Sequence, residues 1–220
     1  MVKVWRTLWR PGTRHSLGAL LTAGVVAGVI LWGGFNTAME ATNVETFCIS
    51  CHEMKENVYR EYKKTVHYSN RTGVRATCPD CHVPKQWVHK VARKVQATNE
   101  LLHHFVGSIS TPEKFAAKRL QLAKLVWKSM KETDSRECRN CHDFASMNLS
   151  AQKENGRRKH EQSLKEGKTC IDCHQGIAHK LPEEFVETEH ERYESEGVPC
   201  TDCHEGMARA PAGDDWANTD

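Results

Sequence analysis

Large apolar residues are scarce in this 220-residue chain outside one stretch near its N-terminus. Aromatic residues make up only 7% of the sequence, and the hydrophobic residues, 39% of the whole chain, are most densely concentrated in that stretch. The remaining chain therefore lacks the side chains that an ordinary core of its size requires. Something other than side chains must fill its interior.

The chain also lacks a strong excess of charge of either sign. Its 31 basic and 28 acidic residues leave a net charge of +3, and the basic excess lies in residues 1–16. This balance argues against a nucleic-acid partner. The chain also has ten cysteines. A cytosolic enzyme would have no use for so many thiols, so this class of protein is excluded as well.

One uncharged stretch is long enough to cross a membrane. Residues 17–35 carry no charge and follow a flank with basic but no acidic residues. At about 1.5 Å per residue, a helix of this length spans a bilayer core. The positive flank should stay cytoplasmic, which puts the rest of the chain on the other side. A cleaved signal peptide is the alternative, but no small-x-small cleavage site follows residue 35, so we expect an uncleaved anchor in contact with lipid.

All ten cysteines belong to one motif, C-x-x-C-H, which occurs five times. Two thiols at this spacing add to the vinyl groups of a haem, and the adjacent histidine reaches the iron. The motifs are Cys48-Ile-Ser-Cys51-His52, Cys78-Pro-Asp-Cys81-His82, Cys138-Arg-Asn-Cys141-His142, Cys170-Ile-Asp-Cys173-His174 and Cys200-Thr-Asp-Cys203-His204.

Zinc sites and disulfides are the alternatives for these cysteines. Neither requires a histidine directly after every pair, so the pattern predicts five covalently bound haem c groups. Five large apolar macrocycles would also supply the interior that the composition lacks.

The last two motifs lie in a duplicated segment. Residues 160–179 and 190–209 align at an offset of 30 residues, with ten of twenty positions identical. Each copy reads as a short helix that ends at Glu-Gly, followed by a haem-attachment turn. His179 corresponds to Arg209, so if His179 is an axial ligand, the second copy must obtain that ligand elsewhere.

The chain between the motifs indicates a mostly α fold with no convincing strand. A capping box is predicted at Ser110–Glu113, and the tail 213–220 is acidic and expected to be disordered. The predicted helices cover residues 85–106, residues 112 to about 131, residues 151–166 with a break near Gly156, and residues 183–196.

Longer strings resemble a known family. GGFNTAMEATNVETFCISCHEMKENVYREY, HYSNRTGVRATCPDCHVP, RKVQATNELLHHFVG, DSRECRNCH and CIDCHQGIAHKLP are similar to the NapC/NirT family, relatives of the NrfH type. The resemblance covers about residues 5–182. It implies a membrane-anchored helical cytochrome that carries electrons from quinol to periplasmic reductases. The family core has four haems, whereas a fifth site follows directly here. The members that serve N-oxide and S-oxide respiration also have five haems, but their fifth-haem domain is much longer. The reductase partner therefore cannot be inferred from either branch of the family.

We therefore divide the chain into five segments: a basic flank (1–16), a transmembrane anchor (17–35), a tetrahaem domain (36–182), a fifth-haem module (183–212) and an acidic tail (213–220).

Several histidines outside the motifs are candidates for the second axial ligand of each haem. Low-potential relays usually need a second strong-field ligand, and imidazole supplies it. The candidates are His67, His160, His179, His190 and one of His103 and His104, with His89 less favoured. Met54 gives C-x-x-C-H-x-M, and in NrfH-like relatives the matching methionine ligates the first haem. The alternative is that Met54 packs at the haem edge and that a histidine, His52, ligates the first haem, as the resemblance to NapC-like members allows.

Quinol oxidation needs a hydrogen-bond donor and a carboxylate near a haem. Lys94 and Glu100 match the basic and acidic quinol-site positions of the family, where aspartate is the more usual acid. Both could instead be solvated helix charges, and Asp80 is a weaker candidate.

These observations predict a quinol dehydrogenase of the inner membrane with its haem domain in the periplasm. The expected partners are menaquinol or ubiquinol and a reductase for nitrate, nitrite or an N- or S-oxide, and a homo-oligomer is compatible with the sequence. A relay that runs in reverse towards quinone is a rival. A catalytic nitrite or hydroxylamine reductase is another, although no C-x-x-C-K motif is present.

Overall fold

A computed structural model describes residues 17–198 and residue 204. The chain divides into two compact units, residues 1–48 and residues 49–220. The basic flank, Cys200, Cys203 and the acidic tail lie outside the described residues.

The first unit is dominated by one long apolar helix, α1, which spans Leu17–Ala41. Its residues 18–41 are long and apolar enough to cross a membrane. The helix covers the predicted span and continues six residues beyond it. A short helix, α2 (Glu45–Cys48), follows and ends at the first cysteine of the first motif.

The second unit is built from helices joined by turns, and no strand occurs among the described residues. This confirms the mostly α fold. Its elements in chain order are a π-helix (Met54–Val58), α3 (Tyr59–Tyr62), α4 (Cys78–His82), α5 (Trp87–Phe105), α6 (Pro112–Glu132), α7 (Arg136–Arg139), 3₁₀ turns at Phe144–Ser146 and Leu149–Ala151, α8 (Glu154–Glu166), a 3₁₀ turn at Cys170–Asp172, and α9 (Glu183–Ser195).

Two local predictions were wrong in detail. Helix α8 runs through Gly156 without a break, because one interior glycine costs a helix only about 1 kcal/mol. The N-cap of α6 is Thr111 rather than Ser110, and its side chain accepts a hydrogen bond from the Lys114 amide at 3.3 Å. Pro112 then occupies the first helical position, where no amide hydrogen is needed.

The helix ends of the duplicated segment match the prediction. Gly167 closes α8 with φ +64°, and Gly197 after α9 has φ +67°. This left-handed backbone favours glycine because a Cβ would clash with the neighbouring carbonyl oxygen. The two copies therefore stop their helices by the same device before their haem-attachment motifs.

Few apolar side chains are buried in the described part of the second unit, namely Tyr62, Phe115 and Ile171. Ile171 lies inside the fourth motif, and its amide donates a hydrogen bond to the Ser135 hydroxyl at 3.1 Å. Ser135 is fully buried, has a left-handed backbone (φ 49°) and directly precedes α7, which carries Cys138. This contact ties the third motif to the fourth.

We expect Ser135→Ala to destabilise the protein by about 1–3 kcal/mol, because the buried Ile171 amide would lose its acceptor. Urea unfolding of the haem-loaded protein measures the change. Ser129→Ala, at an exposed site on α6, is the matched control and should be nearly neutral. Equal unfolding midpoints for the two variants would contradict the assigned role.

Candidate haem sites

The histidine of every C-x-x-C-H motif lies beside a second histidine. The five pairs are His52 with His104, His67 with His142, His82 with His179, His160 with His174, and His190 with His204, and their ring centres are 6.0–6.2 Å apart. Each pair therefore contains one motif histidine and one of the candidates named from the sequence.

This spacing fits two imidazoles on opposite sides of one metal ion. An imidazole nitrogen binds a transition metal at about 2 Å, and the ring centre lies about 1 Å further, so two such rings have centres about 6 Å apart. Two ring nitrogens, Nδ1 of His67 and Nδ1 of His179, are also buried without a hydrogen-bond partner in the described structure. The chain thus fits bis-histidine haem ligation.

The second and fourth motifs are shaped by the same local device. Asp80 accepts hydrogen bonds from the amide (2.8 Å) and hydroxyl (2.6 Å) of Thr77, and Asp172 accepts the same pair from Thr169 at 2.8 and 2.9 Å. Each aspartate closes a capping box around its first cysteine. Asp80, a weaker candidate for quinol chemistry, is thus engaged in holding a haem motif.

His67 lies on a turn that Tyr62 holds in place. The Tyr62 hydroxyl donates to the Ala76 carbonyl, and the Ala76 amide donates to the His67 carbonyl at 3.1 Å. Tyr68 packs edge-on against Tyr62 at 5.3 Å, and Arg75 lies over the Tyr68 ring at 4.2 Å. The aromatic cluster fixes the segment that carries the partner of His142.

His179 is positioned by an ion pair from two helices. Glu61 of α3 accepts hydrogen bonds from Arg119 of α6 at 2.5 Å and from the Lys180 amide at 3.0 Å. Arg119 in turn donates to the Lys180 carbonyl at 2.8 Å. Both backbone polar groups of Lys180 are therefore held, and with them the residue that precedes it.

Burial keeps several of these imidazoles neutral. The pKa of His82 is lowered to about 4, mainly because the ring is buried and to a lesser extent because His179 and Arg93 lie nearby. Burial also lowers the pKa values of His67, His174 and His179. A neutral imidazole has a lone pair for a metal, so these residues are in the ligand form at neutral pH.

The first pair is built differently, around a buried carboxylate. Glu53 is 2% exposed and lies 2.9 and 3.1 Å from Nδ1 of His104 and 3.4 Å from Nδ1 of His52. Nε2 of His52 donates to the Ser110 carbonyl at 3.0 Å. Burial alone would raise the pKa of Glu53, but hydrogen bonds and the two imidazoles outweigh it and lower the pKa.

Sequence reasoning missed Glu53, Tyr62 and the Glu61–Arg119 ion pair. For Glu53 a signal existed, because an acidic residue stands between the histidine and the methionine of the first motif. Tyr62, Glu61 and Arg119 carry no motif that marks their roles.

The remaining candidates are placed as follows. His103 is exposed and its Nδ1 lies 2.9 Å from the Ser108 hydroxyl, and His89 is exposed on α5. Met54 begins the π-helix directly after the first motif. Lys94 and Glu100 both lie on α5, and Glu100 forms an ion pair with Arg93 at 2.7 Å.

The pairs of the fourth and fifth motifs repeat the sequence duplication. His160 and His174 are offset by 30 residues from His190 and His204, and both pairs are nearly parallel, at 29° and 9°. His179 instead pairs with His82 of the second motif. The replacement of His179 by Arg209 in the second copy therefore removes nothing that the fifth pair uses.

Comparison with known proteins matches residues 10–184 to the N-terminal region of the NapC/NirT cytochrome c family. The chain belongs to this family. It is 61% identical to the denitrification system component NirT of Stutzerimonas stutzeri over 83% of this chain and 90% of NirT. It is 55% identical to the cytochrome c-type protein NapC of Escherichia coli over 82% of this chain and 90% of NapC.

A third relative is longer than this chain. The cytochrome c-type protein TorC of Escherichia coli is 44% identical over 83% of this chain but only 47% of TorC. No solved structure matches the chain. The family assignment makes the protein a membrane-anchored multihaem cytochrome c that carries electrons towards periplasmic reductases. The family match ends at residue 184, before the fifth motif.

Proposed function

We propose that this protein oxidises membrane quinol and passes the electrons through five c-type haems to a periplasmic reductase of nitrate, nitrite or an N- or S-oxide. The observation that supports it most directly is that a second histidine lies beside the histidine of each of the five motifs, which brings a candidate axial ligand to every haem site. Each bound haem iron would supply a one-electron redox centre.

Four haems would take their axial ligands from the opposed ring pairs, with His142, His82, His174 and His204 as the motif ligands and His67, His179, His160 and His190 opposite them. Protein acceptors hold the ligand orientation in two cases, since Nδ1 of His160 lies 2.6 Å from Gln152 and Nδ1 of His190 lies 2.9 Å from the Val186 carbonyl. Such partners orient a metal-binding imidazole and leave Nε2 for the iron.

For the first haem we propose Met54 and His104 as axial ligands in place of His52. Both ring nitrogens of His52 already contact protein oxygens, at Ser110 and Glu53. A histidine that donates through Nε2 to a carbonyl has no lone pair there for a metal. Met54 lies two residues after His52 in the chain. The resemblance to NrfH-like relatives implies that this methionine ligates the first haem.

Quinol would bind at α5, beside the first haem. This helix carries His104, and it also carries Lys94 and Glu100. Glu100 is 64% exposed, which suits a carboxylate that receives a proton and returns it to water. Cytoplasmic placement of the basic flank would put the haem domain in the periplasm, at the outer surface of the inner membrane.

Quinol-driven reduction tests this function in the detergent-solubilised, haem-loaded protein. We expect menaquinol or ubiquinol analogues to reduce several haems rapidly, with loss of the rate on addition of a quinol-site inhibitor, as followed by the haem absorption bands. Dithionite reduction of all five haems is the control. Reduction by dithionite but not by either quinol would show that a separate protein donates the electrons.

Glu100→Gln removes the proposed proton acceptor, and Lys94→Ala removes the proposed donor. We expect each to lower the quinol oxidation rate about 100-fold while dithionite reduction stays unchanged. Glu132→Gln is the matched control, because Glu132 is 62% exposed and pairs with a helix cation as Glu100 does. Rates equal to those of the control would assign both residues to the solvated surface of α5.

His190→Ala removes one ring of the fifth pair and leaves the other four pairs intact. We expect five haems per chain by pyridine haemochrome assay, one of them high-spin by electron paramagnetic resonance (EPR). Quinol-driven reduction of the other four should persist, while transfer to the reductase slows at least tenfold. His89→Ala, at an exposed histidine of α5, is the control. Five low-spin haems in His190→Ala would refute the assigned ligand.

A further inference from the structure

Glu53 is the most deeply buried acidic side chain in the described structure, with 2% of its surface exposed. A buried carboxylate is costly unless it is paired and hydrogen-bonded. Its oxygens lie 2.9 and 3.1 Å from Nδ1 of His104, a residue 51 positions away in the chain. The carboxylate therefore links the first haem motif to α5.

The contact determines which nitrogen of His104 carries the proton. A carboxylate accepts hydrogen bonds but does not donate them, so Nδ1 of His104 must carry the hydrogen. The lone pair of the neutral ring is then on Nε2. This is the arrangement in which outer carboxylates orient metal-binding histidines and make them stronger donors.

The first motif itself lies against this dyad. Ligand atoms of Cys51, Glu53 and His104 all lie within 4.8 Å of one another. Cys51 is a haem-attachment cysteine, so the carboxylate and the imidazole stand beside the position where the first haem is joined to the chain. The acid, the histidine and the attachment point form one cluster, and both His104 and the proposed quinol residues belong to α5.

We propose that Glu53 is a positioning residue of the first haem, holding His104 in the Nε2-ligand tautomer and lowering the midpoint potential of that haem. The proposal rests on the function proposed above only in that it assigns His104 to the first haem. A negative charge and a more basic ligand both favour the ferric state. In the fourth and fifth pairs, by contrast, Nδ1 of His160 and Nδ1 of His190 contact a side-chain amide and a backbone carbonyl rather than a carboxylate.

Two substitutions separate the effect of the Glu53 charge from the effect of its hydrogen bond to His104. Glu53→Gln keeps an oxygen that can accept the Nδ1 hydrogen but removes the charge, and we expect the midpoint potential of one haem to rise while its spin state is unchanged. Glu53→Ala removes both, and we expect the EPR lines of that same haem to shift as well. The other four haems should titrate as in the unmodified protein.

The matched control is Glu56→Gln. Glu56 is three residues further along, is 43% exposed and pairs with Arg60 on the surface. The substitution removes one negative charge from the same segment but leaves the contact with His104 intact. The midpoint potentials of all five haems should therefore stay unchanged. A change common to Glu53→Gln and Glu56→Gln would mean that general surface charge, not the dyad, sets the potential, and would overturn the proposal.

Spectroscopic redox titration with chemical mediators measures these effects without quinol. A failure of quinol oxidation would therefore leave this test intact, and the two proposals can fail separately. If Glu53→Gln does not assemble with five haems, Glu53→Asp replaces it, since the shorter acid keeps the charge and withdraws it from His104. Potentials and EPR lines that match the unmodified protein in the assembled variants would refute the role of Glu53.

Discussion

Every C-x-x-C-H motif of this chain carries a histidine that must be met by a second histidine of the chain. That requirement explains much of the path of the second unit. His67 and His179 are placed by a tyrosine cluster and by an ion pair between helices, respectively. In both places the residues that hold a histidine are tyrosine, glutamate and arginine rather than a cluster of aliphatic side chains.

Local features could be predicted from the sequence because their causes are local. Helix α9 and the glycine helix stops follow from periodicity and from the left-handed backbone that glycine tolerates. The predicted break at Gly156 was wrong, because the helix-forming preference of the neighbouring residues exceeds the small cost of one glycine. The five motifs could be recognised without a structure, because haem attachment sets the spacing of the two cysteines and the histidine.

The pairing of histidines could not be predicted, since it depends on contacts between distant segments. The sequence offered seven histidines beyond the flank and the motifs but no rule for matching them to irons. His179 illustrates the difficulty: it lies beside the fourth motif in sequence and beside His82 of the second in space. Only within the duplicated segment is the pairing local, because His160 and His190 each lie 14 residues before their motif histidine.

This difference between local and distant pairing bears on how the chain acquired its fifth site. A segment that contains both histidines and both cysteines can be copied whole, and the copy needs no new ligand from the rest of the protein. The first three motifs cannot be copied in this way, since their second histidines come from other segments. Duplication of the fourth unit therefore adds a complete motif together with its second histidine in a single event.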